Sequence, residues 1–334
     1  MKQWENRVGF LRRCALPGLL LALLLSACSD NSSTNEHRVQ TTRCITDVSA
    51  SDRHSFECDG VAFDVMLTEA CIARPCGLIV DVHGFLSNPQ QQELRSNLAR
   101  AAKDKGGYIV VQPGELSEPP SWQPEVHNPV VFEFMQQAIE AYSVDEDRVH
   151  FTGFSQGGLM TWQFVCEHPE VIASAAPLSA IEVGCFRSGE GPVRDVPILF
   201  ISGVEDILIR YFNPTAALSV PYTLMQVMHD YDMVSVDADA YSFSPRGDLV
   251  KNAAGRVDAV AEGVAFEVLD GSEQAGYLWT RYTATDGTVF EHLRHDNGHV
   301  YPDNPDSELF PEEPAVWFSI GEAILQFFID NPKG

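Results

Sequence analysis

The amino-acid sequence predicts an α/β fold with a mostly parallel sheet and helices on both of its faces. Strand-like and helix-like segments alternate from about residue 60 onward, which is typical of parallel strands joined by helical crossovers. Several strand-like runs, such as residues 77–82, are short and almost continuously apolar, as strands buried on both faces must be. The segments between them carry apolar residues at helical spacing.

Six segments have the apolar patterns of strands. The first alternates apolar and polar residues as a half-buried strand does, and the others are nearly continuous. The six segments are residues 61–67, 77–82, 108–113, 148–152, 173–179 and 196–202.

Four segments have the patterns of helices. The first ends in two glycines, a common stop signal, and two others carry a clear apolar stripe. The four segments are residues 90–107, 129–142, 156–167 and 315–332. The stripes consist of Val131, Met135, Ala138 and Tyr142 in one helix, and of Val316, Ile320, Ile324 and Phe328 in the closing helix.

Residues 207–275 interrupt this alternation. A helical stretch is predicted near their start, although Pro221 interrupts it, and the remainder is polar and rich in turn residues. We interpret the segment as an insertion on the same domain. Residues 277–295 then read as a hairpin about Asp286-Gly287, a strong turn dipeptide.

The N-terminus is predicted to be an export signal. Residues 1–27 combine basic residues, a short apolar run and small residues, which indicates a signal peptide and not a transmembrane helix. Residues 25–28, Leu-Ser-Ala-Cys, resemble the bacterial lipobox, which implies cleavage before Cys28 and lipidation of its thiol. The alternative is an ordinary signal peptide with an unrelated cysteine. Residues 28–43 are polar and read as a tether, and residues 44–334 as the folded catalytic domain.

The residue after Cys28 and the net charge indicate where the mature protein resides and what it meets. Ser29 favours sorting of a Gram-negative lipoprotein to the outer membrane. The formal net charge of −25 repels nucleic acid and anionic lipid, so membrane contact is expected only through the N-terminal lipid. Solubility explains this charge more simply than a specific cationic partner does.

The cysteine content agrees with export. Cys14 leaves with the signal peptide and Cys28 takes the lipid, which leaves six cysteines. An even number of cysteines outside the cytoplasm predicts three disulfides. The sequence contains no CxxC pair, which disfavours a metal site. Fifteen connectivities are possible. Short separations favour Cys44–Cys58, Cys71–Cys76 and Cys166–Cys185.

Ser155 is the candidate nucleophile. It is the central residue of a G-x-S-x-G motif that follows a predicted strand and precedes a predicted helix, and this context makes a weak pattern specific. A serine in so tight a turn needs small neighbours, which Gly153 and Gly157 provide. The start of the helix favours developing negative charge. The alternative is a plain glycine-rich turn.

A serine nucleophile needs a base, and the base needs an orienting carboxylate. In this architecture the order along the chain is serine, acid, histidine. Asp206, just past a strand end, is the predicted acid, with Glu205 as the alternative. His299, in a late tight loop, is the predicted base, with His295 as the alternative. A metal site at these two histidines would need a helix, which Asn297-Gly298 disfavours, and it lacks the HExxH glutamate.

The oxyanion hole is predicted from His83-Gly84, which directly follows a buried strand. In hydrolases of this architecture one backbone N–H comes from such a loop and the other from the residue after the serine. These are the amides of Phe85 and Gln156. For His83 we favour a loop-bracing role over that of a second base.

Residues 145–180 resemble the secreted polyhydroxybutyrate depolymerase and feruloyl-esterase-like group of α/β-hydrolases. The matches are D-x-x-R-V, the G-x-S-x-G-G elbow, His168-Pro169 and P-x-S. Three further blocks match in order, namely HGF, G-x-x-D and NGHVYP. The chain departs from the family at Asn297, in place of Gly, and at Val300-Tyr301, in place of Thr-Trp.

The resemblance implies an α/β-hydrolase fold with an insertion before the catalytic-histidine loop. It implies a serine esterase without metal or organic cofactor that acts on a polyhydroxyalkanoate-type polyester or oligomer. Tyr301 is a candidate substrate-binding residue, and His83 is a second one. The alternatives are a feruloyl or acetyl xylan esterase, a peptidase, and an inactive surface binding protein on the same scaffold.

Overall fold

The structure is a computed structural model that describes residues 43–48, 53–212, 218–253, 255–272, 274–302 and 319–334. The predicted signal peptide, the predicted lipidation site Cys28 and nearly all of the predicted tether lie outside these ranges, as does Val316. None of the helices within these ranges is long and apolar enough to cross a membrane.

One sheet of ten strands organises residues 43–334. The strands are β1 (Arg53–Cys58), β2 (Val61–Met66), β3 (Gly77–Val82), β4 (Tyr108–Glu115), β5 (Val149–Phe154), β6 (Ser174–Leu178), β7 (Ile198–Gly203), β8 (Ala265–Ser272), β9 (Tyr277–Thr283) and β10 (Val289–His295). Their spatial order is β1-β2-β4-β3-β5-β6-β7-β10-β9-β8. The six central strands from β4 to β10 are parallel, and an antiparallel pair flanks them at each edge. The predicted α/β fold is therefore confirmed.

Eight α-helices lie within the described ranges. They are α1 (Glu69–Ala73), α2 (Pro89–Ser96), α3 (Leu98–Lys105), α4 (Pro124–Ala141), α5 (Gln156–Glu167), α6 (Cys185–Ser188), α7 (Val220–Asp230) and α8 (Ile320–Asp330). The predicted helix over residues 90–107 is in fact two helices, because Asn97 adopts a left-handed conformation with φ of 53°. Asparagine tolerates this conformation better than most residues.

The sheet separates two apolar layers, as the alternation of buried residues within β3 shows. Leu78 and Val80 face the larger layer, which contains the buried faces of α4, α5 and α7. Ile79 faces the smaller layer, which contains α3 and α8. The stripe predicted for residues 129–142 is buried throughout. Helices therefore cover both faces of the sheet, as the continuously apolar strands require.

The segment 207–275 is more regular than the sequence indicates. It contains α7, and Pro221 lies in the first turn of this helix, where proline is tolerated, so Pro221 does not interrupt it. It also contains β8, which adds an edge strand to the hairpin of β9 and β10. All residues of β8 are exposed or half-buried, so the strand lacks the buried apolar run that predicts a central strand. The short strand β1 is likewise half-exposed and was not predicted.

Three disulfides join the six cysteines of the folded domain. The pairs are Cys44–Cys58, Cys71–Cys76 and Cys166–Cys185. These are the pairs that the short separations favour. Cys166 belongs to α5 and Cys185 begins α6, so the third disulfide links the end of the helix after Ser155 to the chain after β6.

Candidate active site

Ser155 occupies a strained turn between β5 and α5. Its φ of 55° and ψ of −112° lie outside the regions that L-residues ordinarily adopt. The neighbouring glycines are required by packing, because a Cβ on Gly157 would lie 2.1 Å from the carbonyl oxygen of Val82. A Cβ on Gly153 would lie 2.5 Å from the oxygen of Gly157. The turn thus has the geometry of a nucleophile elbow, and Ser155 is half-buried at its tip.

His299 bridges Ser155 and Asp206. Its Nε2 atom lies 2.9 Å from the Oγ of Ser155, and its Nδ1 atom lies 2.7 Å from an Oδ of Asp206. Asp206 and His299 are 5% and 8% exposed, so the pair is shielded from bulk water. With Asp206 ionised, Nδ1 carries the proton and Nε2 is free to accept one from Ser155.

The carboxylate of Asp206 is fixed by its own loop. Its second oxygen accepts the backbone N–H groups of Leu208 and Ile209, each at 2.8 Å. Glu205, the alternative acid, has an exposed side chain. The geometry therefore selects Asp206 for the triad.

His295, the alternative base, lies away from this arrangement. It ends β10, is fully buried, and faces Gly203 of the neighbouring strand. Neither of its ring nitrogens has a hydrogen-bond partner among the described residues. Burial, with a smaller contribution from Arg294, lowers the pKa of His295 to about 3, so the ring is neutral at physiological pH.

The residues proposed for the oxyanion hole lie beside the nucleophile. A Cβ on Gly84 would lie 3.2 Å from the Cβ of Ser155, so the backbone of this loop passes directly over the serine. The backbone N–H groups of Phe85 and Gln156 donate to no acceptor among the described residues. Both N–H groups therefore remain free to donate to a bound ligand.

His83 and Tyr301, the candidate substrate-binding residues, are buried with exposures of 0% and 2%. His83 hydrogen-bonds the carbonyl of Gly84 through Nδ1 at 2.7 Å. Burial lowers its pKa to about 4. The hydroxyl of Tyr301 accepts a hydrogen bond from Gln92 at 2.6 Å, and its ring stacks on Phe154 at 4.7 Å. These contacts brace the loops around the triad, and we propose bracing in place of substrate contact for both residues.

Structural comparison identifies the scaffold. An acetyl xylan esterase from Aspergillus awamori aligns with a TM-score of 0.51 and 15% sequence identity, covering 75% of this chain and 93% of that chain. The chain has the α/β-hydrolase fold. No family model matches its sequence.

Sequence comparison relates the chain to esterases. It is 29% identical over 136 residues to a bifunctional acetylxylan esterase/xylanase from Neocallimastix patriciarum, covering 40% of this chain and 20% of the relative. It is 28% identical over 146 residues to feruloyl esterase B from Piromyces equi, with coverages of 40% and 27%. A probable acetylxylan esterase A from Aspergillus fumigatus is 26% identical over 133 residues, with coverages of 37% and 36%. The aligned region spans between 20% and 36% of the length of these relatives.

One group of possible metal ligands comes together within the described part of the chain. It consists of Cys166, Glu182 and Cys185. The two sulfurs are joined in a disulfide, and the Glu182 carboxylate accepts backbone N–H groups at the start of α6. These three side chains therefore already have structural partners, and the disulfide leaves no thiolate to bind a metal. That the reaction needs no metal or organic cofactor stays a prediction.

Two features of the site were missed by sequence reasoning. Apolar side chains flank the triad while exposed to solvent, and the exposed fractions of Phe85, Ile207 and Leu208 are 47%, 69% and 61%. Their places in the sequence could have indicated this role, because Phe85 belongs to the loop His83–Phe85, here called the oxyanion loop, and Ile207 and Leu208 directly follow Asp206. Trp122 also contacts the oxyanion loop, through a hydrogen bond from its indole to the carbonyl of His83 at 2.8 Å. No spacing in the sequence indicates a contact between residues so far apart.

Proposed function

We propose that this α/β-hydrolase is an exported serine esterase that removes acetyl or feruloyl groups from xylan-type polysaccharides. The observation that carries the proposal is the continuous hydrogen-bonded line from Ser155 through His299 to Asp206. This arrangement is the one that activates a serine hydroxyl for acyl transfer. The esterase names of the relatives support the ester as the bond that is cleaved.

In the proposed mechanism, the Oγ of Ser155 attacks the ester carbonyl while His299 Nε2 takes the hydroxyl proton. The backbone N–H groups of Phe85 and Gln156 stabilise the oxyanion of the tetrahedral intermediate. His299 then gives its proton to the departing alcohol, which leaves an acyl group on Ser155. In the second stage His299 takes a proton from the water that attacks the acyl-enzyme, and returns this proton to the Oγ of Ser155 as the acid leaves. Asp206 holds the imidazolium at both stages.

The choice of xylan esters over polyesters rests on the relatives. Those reported above are acetylxylan or feruloyl esterases by name, which supports a feruloyl or acetyl xylan esterase over a polyhydroxyalkanoate esterase. The exposed apolar side chains of Phe85, Ile207 and Leu208 provide a surface for an apolar acyl group. The net charge of −25 is compatible with a neutral polysaccharide and unfavourable for a polyanion.

A substrate panel tests the proposal. Purified protein would be assayed on acetylated xylan, methyl ferulate, feruloylated arabinoxylan fragments, hydroxybutyrate oligomers and a peptide amide. We expect kcat/KM to be highest on one of the xylan-type esters. Highest activity on hydroxybutyrate oligomers would restore the polyester reading, and highest activity on the peptide would indicate a peptidase.

A fluorophosphonate probe separates an enzyme from an inactive binding protein. We expect the probe to label wild-type protein at Ser155, because it reports an activated serine and needs no knowledge of the substrate. The Ser155→Ala variant is the control and should stay unlabelled. Absence of labelling in folded wild-type protein would favour the inactive binding protein.

We further propose that the protein is lipid-anchored after export, in the outer membrane. The three disulfides of the folded domain support an oxidising compartment. Lipidation is expected at Cys28, which lies outside the described residues. Expressed in a Gram-negative host, wild-type protein should incorporate labelled fatty acid and fractionate with outer membranes, whereas Cys28→Ser should do neither. Wild-type protein released with a free N-terminus would refute the anchor.

A further inference from the structure

The loop that supplies the first oxyanion donor is held at three consecutive peptide groups. The carbonyl of His83 accepts the indole N–H of Trp122 at 2.8 Å. The carbonyl of Gly84 lies 2.7 Å from Nδ1 of His83. The N–H of Leu86 donates to the carbonyl of Pro120 at 3.1 Å. Within this stretch, the N–H groups of Gly84 and Phe85 donate to no acceptor among the described residues.

The bond to Gly84 sets the direction of the Phe85 N–H. The Nε2 atom of His83 accepts the backbone N–H of Glu115 at 3.4 Å, so the proton of the neutral ring is on Nδ1 and is donated to Gly84. The peptide between Gly84 and Phe85 is trans, and in a trans peptide the C=O and N–H point in opposite directions. Holding the Gly84 carbonyl against His83 therefore turns the Phe85 N–H to the other side of the loop.

The residue that supplies the second donor is held by the same segment. The side-chain carbonyl of Gln156 accepts the backbone N–H of Trp122 at 3.0 Å, and its amide donates to the Oγ of Ser121 at 3.3 Å. Trp122 therefore contacts both the loop that carries the Phe85 donor and the residue Gln156 that carries the other donor. It uses its indole for one and its backbone for the other.

The segment around Trp122 is itself fixed. The buried carboxylate of Glu115 accepts the N–H and the hydroxyl of Ser117 at 2.8 and 2.6 Å. It also accepts the N–H of Ser121 at 2.7 Å. Trp122 is only 6% exposed, and its ring packs against those of His83 and His127 at 4.9 and 5.6 Å. The indole is thus presented to the His83 carbonyl in one orientation.

We propose that Trp122 is a positioning residue that aligns both oxyanion donors, acting on the Phe85 amide through the carbonyl of His83 and on the Gln156 amide through the Gln156 side chain. This inference rests on the proposed serine-esterase function. It predicts that the indole N–H contributes to the rate of acyl transfer, although its hydrogen bond goes to the carbonyl of His83 and not to a triad residue.

The test is Trp122→Phe, which removes the indole N–H and keeps an aromatic ring. The matched control is Trp162→Phe, because Trp162 is also buried and its indole donates to the carbonyl of Ala180 at 3.2 Å, outside the oxyanion loop. We expect Trp122→Phe to lower kcat about 10- to 100-fold with little change in KM, less than the ~10²- to 10³-fold loss for deleting a donor. Trp162→Phe should change thermal stability by a comparable amount while kcat stays near that of wild type.

A thionoester substrate supplies a readout that a purely structural role would not move. A C=S group accepts hydrogen bonds poorly and fits an oxyanion hole badly, so the wild-type ratio of kcat/KM for oxoester over thionoester should be large. We expect this ratio to fall in Trp122→Phe and to stay at the wild-type value in Trp162→Phe. An unchanged ratio in Trp122→Phe, with kcat lost equally on both substrates, would overturn the positioning role.

Failure of the inference is distinguishable from failure of the proposed function. If wild-type protein hydrolyses esters and Trp122→Phe keeps wild-type kcat and ratio, only the role of Trp122 is refuted. If wild-type protein neither hydrolyses an ester nor reacts with the fluorophosphonate, the serine-esterase function itself is refuted. Should Trp122→Phe fail to fold, Gln156→Met removes the contact to the Trp122 backbone and should lower kcat and the ratio in the same direction.

Discussion

The Nε2 atom of His299 lies 2.9 Å from the Oγ of Ser155, although 144 residues separate the two along the chain. The contact joins a turn after β5 to a loop after β10, which leave the same edge of the parallel sheet. Functional groups of open α/β sheets lie at this edge, outside the carboxyl ends of the strands. Ser155 and His299 therefore lie at the edge of the sheet where loops that are distant in the sequence come into contact.

Ser155 and His299 should behave as a unit in catalysis. We expect Ser155→Ala and His299→Ala each to lower kcat by about 10⁴-fold or more, because either loss removes the activated nucleophile. The double variant should be little worse than either single variant. Steady-state kinetics and circular dichroism of the three variants would check this. Independent, multiplying losses would show that the two residues do not act together.

His295 should affect stability and not turnover. Its folded-state pKa of about 3 lies below the reference value of about 6.5. Folding thus favours the neutral form of His295. The stability that depends on this neutral form is complete above pH 6.5 and is lost progressively as the pH falls toward 3. We expect His295→Leu to keep most of its activity. Between pH 7 and pH 5 the unfolding free energy of this variant should fall less than that of the wild type, by on the order of 1 kcal/mol per pH unit.

Denaturant titrations at pH 7 and pH 5 would measure this difference. The dependence should remain large in His295→Leu, because burial also lowers the pKa values of His83, His150 and His292. A loss of activity in His295→Leu as severe as that of His299→Ala would reverse the assignment of the base.

The meeting of Ser155, His299 and Asp206 could be predicted from the sequence because each of these residues lies in a short local motif. Ser155 lies in the G-x-S-x-G elbow, Asp206 ends a G-x-x-D stretch, and His299 follows Gly298 after the last strand. The central strands were equally visible, because burial on both faces leaves a continuous apolar run.

The contacts that support the triad were not predictable in this way. Trp122 meets residues 39 and 34 positions away through single hydrogen bonds, at His83 and Gln156. Such a contact depends on the final arrangement of loops and leaves no periodicity in the sequence. The break at Asn97 depends on one backbone conformation and was missed for the same reason.

Tyr301 should act as a brace and not as a wall of the substrate pocket. We expect Tyr301→Phe to cost about 1 kcal/mol of unfolding free energy, because it removes the hydroxyl that accepts the Gln92 amide. KM values for esters of acetate, butyrate and ferulate should keep their wild-type order and spacing. A KM change that depends on the size of the acyl group would instead place Tyr301 in contact with the substrate.

The Cys166–Cys185 disulfide should stabilise the fold without taking part in chemistry. The two residues are 19 positions apart, and closing a loop of that size contributes about 3 kcal/mol by the chain-entropy account. We expect the Cys166→Ala/Cys185→Ala variant to lose stability of that order and to keep its KM. Denaturant titration and thiol titration of unreduced wild-type protein would check this. Free thiols in the wild type would contradict the pairing.

The pairing of β7 with β10 has a consequence for how this scaffold can diversify. Gly203 lies opposite His295 in that pair, and the N–H groups of Val204 and Glu205 donate to the carbonyls of His295 and Asn297. The separation of Asp206 and His299 is therefore determined by strand register and not by the chain that runs between them. Insertions and deletions in the exposed parts of that intervening chain should therefore leave the spacing of Asp206 and His299 unchanged, whereas α7 must keep its buried face, which belongs to the larger apolar layer. Natural variants and designed chimaeras of this scaffold can thus differ in the exposed segments between Asp206 and His299 while the contact between these two residues is kept.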